Sequence, residues 1–372
     1  MIKMVSKLGA AMLLAQGLMS GASATELRYA TFVPPTSTTV TIGVQPTLDA
    51  IAKDTNGDLT FKVYAGGQLL GGKEMLSGLS NGIADFGFVA PTYFVSQLKV
   101  NNVIGDMMAF GSDPVAVAGA MIETILMDCP RCQEEFTTNN LVYIGGYAPT
   151  AYRLMCSRPI KSTADLKGLR MRGGGTAMSR AAAALGGVPV NLESSEMYEA
   201  LQRGQLDCIV GPTVWMKQYS LGDVVKGVVS ESLGVLGGLA IFTFNKDAWD
   251  SLSKDEQKAI YKRAGKMAAD ATVIAFMDDE SKVDEAAKEK GLPYFAGDDA
   301  LQKILEQHRE AERGVIVKAA TDRGVQKPEE IMAAYEKNLK KWRELSNSKI
   351  KGDPRIFADL LWTEVYSKVA DR

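Results

Sequence analysis

Arg172 closes a short strand-like run, Leu169-Arg170-Met171-Arg172, and three glycines, Gly173 to Gly175, follow it directly. Arginine is the natural partner of a carboxylate, because its planar fork donates two parallel hydrogen bonds. Glycine beside it lets a ligand approach the backbone closely, and a helix starting near Thr176 would aim unpaired N–H groups at the same anion. Position alone leaves a surface residue or a structural ion pair equally open. Arg153, near the start of the run Tyr152–Cys156, is a second candidate of the same type.

Other chemistries fail on residue type. A single histidine removes most zinc sites and most Ser/His or Cys/His catalysis. That residue, His308, sits in the charged run Gln307-His308-Arg309-Glu310 and reads as a solvated helix position. Gly67–Lys73 has the spacing of a phosphate loop, but Glu74 stands where magnesium needs Ser or Thr, and would repel phosphate. The glycines after Arg172 do not form G-x-G-x-x-G, since Met178 holds the last glycine position. Neither G-x-S-x-G nor H-E-x-x-H occurs. The expectation is a binding protein, with no cofactor, no metal and no catalytic residue.

Cys129-Pro-Arg-Cys132 has redox spacing, but it follows the helix-like run Val115–Asp128 and so falls near a helix C-terminus, where no dipole stabilises a thiolate. A small local disulfide is the expectation, with a redox role the alternative. Cys156 and Cys208 lie in strand-like stretches and read as buried thiols.

The chain has 372 residues, 46% hydrophobic and 23% charged, with 42 Lys+Arg against 44 Asp+Glu. That composition excludes a disordered chain and is large enough for two domains. A net charge of −2 gives no reason to bind nucleic acid or anionic lipid. Residues 1–24 carry Lys3 and Lys7, an apolar stretch from Leu8 to Met19, and Ala22-Ser-Ala24. These are the three parts of a signal peptide, too short in its apolar part to span a bilayer. Removing it loses two lysines and no acids, taking the net charge from −2 to −4. The mature protein is expected in the periplasm after cleavage near Ala24.

The elements alternate. Glu26–Phe32, Leu59–Tyr64 and Ala84–Ala90 read as strands, separated by helices over Thr41–Lys53 and Lys73–Gly82. That order implies parallel strands covered by helices. The pattern restarts near Leu141, with strands over Leu141–Tyr147, Tyr152–Cys156, Leu169–Arg172, Val188–Leu192 and Leu206–Val210. Helices over Ser162–Lys167, Thr176–Leu185 and Ser195–Arg203 lie between them. Two α/β units facing each other enclose a cleft beyond the strand ends. Past the strand Leu239–Asn245, Ser253 and Glu256 form a capping box. The helix-favouring stretch to Lys290 would make a rod of about 55 Å along both units; a break at Gly265 is the alternative. Three further helices are expected over Asp298–Asp322, Pro328–Ser346 and Asp353–Ala370.

Several ordered motifs resemble the periplasmic solute-binding subunits of TRAP transporters, the C4-dicarboxylate-type family. They are Arg153-Leu-Met-Cys-Ser-Arg-Pro-Ile160, Ser162-Thr-Ala-Asp-Leu-Lys-Gly-Leu-Arg-Met-Arg172 and Leu185-Gly-Gly-Val-Pro-Val190, then Glu196–Asp207 and Asn245-Lys-Asp-Ala-Trp249, with weaker likeness at Gly67–Leu69 and Gly82–Phe86. The resemblance implies an α/β, two-lobed periplasmic binding protein of type II-like form, with a long hinge-spanning helix and a helical C-terminal tail. It places lobe I at 25–148 plus about 236–265, and lobe II with the C-terminal helices at 149–235 plus about 266–372. It implies capture of a small organic anion, a carboxylate or sulfonate, by a monomer that delivers it to sodium-coupled permease subunits. On the family pattern Arg172 matches the principal carboxylate-binding arginine and Arg153 a second one. Gly211 stands where an Asn often precedes Pro. Trp215 and Tyr93 match cleft-lining segments, each with a core aromatic as the alternative, and Thr92 and Phe32 lie at strand ends of lobe I. An extracytoplasmic α/β enzyme or a sensor acting on a small organic acid is the competing reading.

Overall fold

The computed structural model describes residues 24–370, so all but the last residue of the expected signal peptide falls outside the described residues. Eleven strands occur among these: β1 Thr25–Ala30, β2 Leu59–Tyr64, β3 Phe86–Val89, β4 Leu141–Gly145, β5 Arg153–Cys156, β6 Arg170–Gly173, β7 Val188–Asn191, β8 Cys208–Gly211, β9 Gly227–Val229, β10 Ala240–Asn245 and β11 Tyr294–Phe295. They form two sheets, ordered β2-β1-β3-β10-β4 and β11-β9-β5-β8-β6-β7. The first three strands pair in parallel as their crossover helices require. β10 runs antiparallel between β3 and β4, because the chain returns from the second lobe to fill that place. β9 and β11 carry no alternating pattern in sequence and gain strand form by pairing with each other, and β9 also with β5.

The long helix is continuous through Gly265. It runs as α-helix from Lys254 to Ala269, as π-helix from Asp270 to Asp278, and again as α-helix to Glu289. Gly265 is a close-packing position and no break, since a methyl there would sit 3.3 Å from the Ala358 carbonyl oxygen. One end of the rod packs on helices of the first lobe. The other reaches the second, where Glu280 accepts from Thr150 Oγ1 at 2.6 Å and from the Val214 N–H at 3.2 Å.

The tail differs from expectation. The helix Pro328–Leu345 packs against Pro114–Glu123 of the first lobe, and Pro354–Leu361 against the first part of the long helix. Trp342, fully buried, lies over Gly119 and donates its indole N–H to Glu123 at 2.6 Å. The last helices therefore clasp lobe I, although chain order placed them with lobe II: an apolar face packs where a complementary face exists. His308 is also not solvated. Its side chain is 11% exposed, its imidazole lies 3.7 Å from Glu312, and burial pushes its pKa down against the pull of that carboxylate.

Both cysteine pairs are bonded. Cys129–Cys132 caps the helix Pro130–Thr138 at its N-terminal side, one turn beyond where the sequence suggested, and both sulfurs are buried. Cys156–Cys208 joins neighbouring strands β5 and β8, where thiols were expected. This second bridge closes a segment with sequence separation 52, and the chain-entropy relation assigns about 4 kcal/mol to such a loop. The Cys156→Ala/Cys208→Ala double variant is expected to lose several kcal/mol in urea unfolding while Cys129→Ala/Cys132→Ala, with its short loop, loses less. The reverse order would overturn this assignment.

Candidate ligand-binding cleft

Arg172 sits near the C-terminal end of β6, at the face where the lobes meet, and is 2% exposed. Its Nε donates to the Leu192 carbonyl at 2.9 Å, and Nη2 donates to the Tyr93 hydroxyl, across the cleft, at 3.2 Å. The guanidinium carbon lies 5.7 Å from the centre of the Trp215 ring. Among the described residues no carboxylate reaches it, and Nη1 makes no hydrogen bond. A buried cation without a counter-ion is costly, and Arg172 lines the cavity with a donor still open.

Around it stands a wall of rings. Phe32 stacks on Phe88 at 4.9 Å and meets Tyr93 at 5.7 Å; Tyr147 lies against Phe88 and Phe276; Trp215 meets Tyr152 and Tyr219 edge-on. All of these rings line the cavity. Burial raises the pKa of Tyr147, Tyr152 and Tyr219, so the phenols stay neutral and put no negative charge beside the arginine. The Tyr93 hydroxyl accepts from Arg172 and from the Ser194 N–H at 3.1 Å, which leaves its own proton free to donate. Ser194 Oγ is buried without a hydrogen bond of good geometry, beside the Tyr219 phenol. Arg172 and Ser194 of one lobe and Tyr93 of the other thus bring three donor groups to the cavity.

Of the residues singled out in sequence, Arg172, Trp215, Tyr93, Thr92 and Phe32 are brought together on the cavity. Arg153 is not. Its Nη1 donates to Asp284 at 2.7 Å and lies 3.8 Å from Glu280, so its charge is spent on the long helix. Burial pushes the Glu280 carboxyl up, and the neighbouring Thr150 and Arg153 pull against it. Gly211 does not line the cavity either; a methyl there would lie 2.3 Å from the Trp215 ring, so glycine here seats that ring. The glycines after Arg172 serve in part the opposite lobe: a methyl on Gly175 would meet Thr92 at 2.7 Å, and one on Gly174 would lie 3.2 Å from Tyr93.

Sequence reasoning missed Phe88, Tyr147, Tyr152, Ser194, Tyr219 and Phe276. Tyr147 and Tyr152 flank the first lobe crossing, just past β4 and before β5, and the rule that ligands sit beyond strand ends could have found Tyr147. Phe276 lies in the π-helical stretch, which no periodicity announces. With the lobes closed the cavity measures about 50 Å³, room for only a few waters, so a larger ligand enters when the lobes part.

Comparison with known proteins shows the family and the fold. Residues 29–311 match the family model described as bacterial extracellular solute-binding protein, family 7. The C4-dicarboxylate-binding periplasmic protein DctP of Rhodobacter capsulatus is 27% identical over 290 residues, covering 72% of this chain and 83% of that protein. A marine metagenome TRAP solute-binding protein specific for aromatic acid ligands superposes with a TM-score of 0.75 at 20% identity, covering 86% of this chain and 99% of that one. DctP7 of Bordetella pertussis, an extracytoplasmic solute receptor binding pyroglutamic acid, gives 0.73 at 18% identity, covering 84% and 100%. A two-lobed α/β fold with a lone buried arginine at its cleft and a family match over most of its length make this chain a member of the family-7 bacterial extracellular solute-binding proteins, which bind small organic acids for TRAP transporters.

Proposed function

We propose that this protein captures a small organic monocarboxylate with a flat apolar body, such as an aromatic acid, and hands it to the membrane subunits of a sodium-coupled TRAP permease. It does so as a periplasmic monomer, freed of its leader near Ala24, and it binds without turnover. The observation that carries this reading is the buried Arg172 guanidinium, which lacks a carboxylate partner among the described residues.

One negative charge is what the cleft is built for. Arg172 is the one arginine or lysine among the residues lining the cavity, and Arg153 is neutralised by Asp284 and Glu280. A second ligand carboxylate would lie against rings and lose its hydration with no charge to replace it. The aromatic wall instead suits a ring, through offset and edge contacts. Solved relatives that bind 3-hydroxybenzoate, and benzoate in a protein of Rhodoferax ferrireducens, support the same class, whereas the Rhodobacter capsulatus relative is named for C4-dicarboxylates.

Two measurements test this. In calorimetry, benzoate or 3-hydroxybenzoate is expected to bind at least about a hundredfold more tightly than succinate, since an unpaired buried carboxylate costs several kcal/mol. A preference for succinate overturns the monocarboxylate class. Arg172→Ala is expected to weaken aromatic-acid binding by about two orders of magnitude or more, as two charge-assisted hydrogen bonds are lost. The same variant melts no lower than wild type without ligand, because it removes a buried charge that has no counter-ion. Retained affinity removes Arg172 from the site. Unchanged ligand on prolonged incubation, followed by chromatography, checks the absence of turnover.

A further inference from the structure

The failed phosphate-loop spacing at Gly67–Glu74 has a use in the tertiary structure. Glu74 turns back onto the Gly71 N–H at 3.1 Å, and the next two backbone N–H groups point across to the other lobe. Gly72 N–H donates to Glu193 Oε2 at 3.0 Å and Lys73 N–H to Glu193 Oε1 at 3.1 Å. A pair of backbone amides of the kind that cradles phosphate thus holds an internal carboxylate. Glu193 follows β7 in lobe II, 120 residues away along the chain.

Its two chain neighbours belong to the binding site. The Leu192 carbonyl holds Arg172 Nε, and the Ser194 N–H holds the hydroxyl of Tyr93, the lobe I residue that also touches Arg172. Lobe closure and arginine orientation therefore meet in one tripeptide. We infer that Glu193 is an interlobe latch: its carboxylate fastens the Gly72–Lys73 turn when the cleft shuts, and in doing so positions the Leu192 and Ser194 backbone groups that aim Arg172 and Tyr93 at the ligand. The Lys73 bond is exposed and the Gly72 bond partly buried, with Glu193 half-buried, so water reaches both when the lobes part. That suits a contact made and broken in every cycle. Gly72 leaves no room for anything but hydrogen: a methyl would stand 2.8 Å from Glu193 Oε2 and 2.9 Å from the Tyr93 ring.

Glu193 also stands at the N-cap of its own short helix, where its backbone N–H donates to the Glu196 carboxylate at 3.1 Å and its carbonyl accepts from the Glu196 N–H at 3.3 Å. Serine keeps a cap of this kind but is too short to cross the cleft, so Glu193→Ser separates the two roles. Gly72→Ala attacks the same seat from lobe I without touching the cap. Small-angle scattering of ligand-free protein is expected to give both variants a larger radius of gyration than wild type, at unchanged melting temperature; equal radii overturn the latch whatever the ligand is. The positioning role rests on the capture function proposed above and is read with benzoate as probe, by stopped-flow tryptophan fluorescence. Dissociation is expected to quicken about tenfold or more in both variants with little change in association, the loss of two hydrogen bonds to a charged group. Unchanged dissociation overturns the positioning role. If benzoate fails to bind wild type, the ligand class falls and the scattering result still decides the latch.

Discussion

A positive charge held in a dry space with nothing of opposite sign beside it is the constraint on which the rest of this molecule turns. The guanidinium of Arg172 is partly compensated by a carbonyl, a phenol and the face of an indole. Those groups orient it without neutralising it. In the capture proposed above an anion meets its remaining electrostatic need, and the low dielectric that makes the empty state costly makes the filled state strong. The aromatic wall is part of the same device, since it keeps water and competing charges away from the fork.

Half-buried arginines elsewhere show what this one lacks. Arg180 pairs with Asp106 at 3.0 Å and Glu312 at 2.7 Å, Arg323 with Asp106 at 2.7 Å, and Arg153 with Asp284. Asp106 belongs to lobe I, while Arg180 lies on the lobe II helix Thr176–Ala184, whose Thr176 hydroxyl also donates to Asp106. These pairs are structural: each charge is matched where it is buried, as burial demands. A ligand offers nothing to them. The distinction between an arginine left open and one already paired is thus a matter of which carboxylates the fold brings near.

The lobes are joined by four crossings, and three contribute to the cavity: Tyr147 and Tyr152 in the first, Leu236 and Leu239 in the second, Phe276 in the π-helical part of the long helix; the fourth is the helix Asp299–Asp322, which leads from β11 to the tail on lobe I. π-helical turns have a less regular hydrogen-bond ladder, and here two carry the hinge region, since Thr39–Val44 packs on Asp270–Asp278. The Ala275 carbonyl in that stretch accepts from Thr38 of lobe I at 2.9 Å, and Thr38 in turn accepts from Gln218 of lobe II at 2.8 Å. Floor and hinge are the same residues, so ligand contact and lobe angle are coupled by construction.

By itself the sequence determined the local part of this protein. Strand-like stretches became β1 to β8 and β10 within a residue or two, the capping box at Ser253 and Glu256 started the long helix, and an arginine before three glycines marked the proposed site. Those features depend on neighbours along the chain, and chemistry between near residues is written there. Tertiary structure alone decided the rest: that Arg172 goes unpaired while Arg153 does not, that the tail clasps lobe I, that Cys156 and Cys208 meet, and that a turn shaped like a phosphate loop receives Glu193. Each of these joins residues tens to hundreds of positions apart. Which partner a charge, a ring or a sulfur finds at that range depends on how the two sheets and the long helix pack, and no spacing in one segment records it.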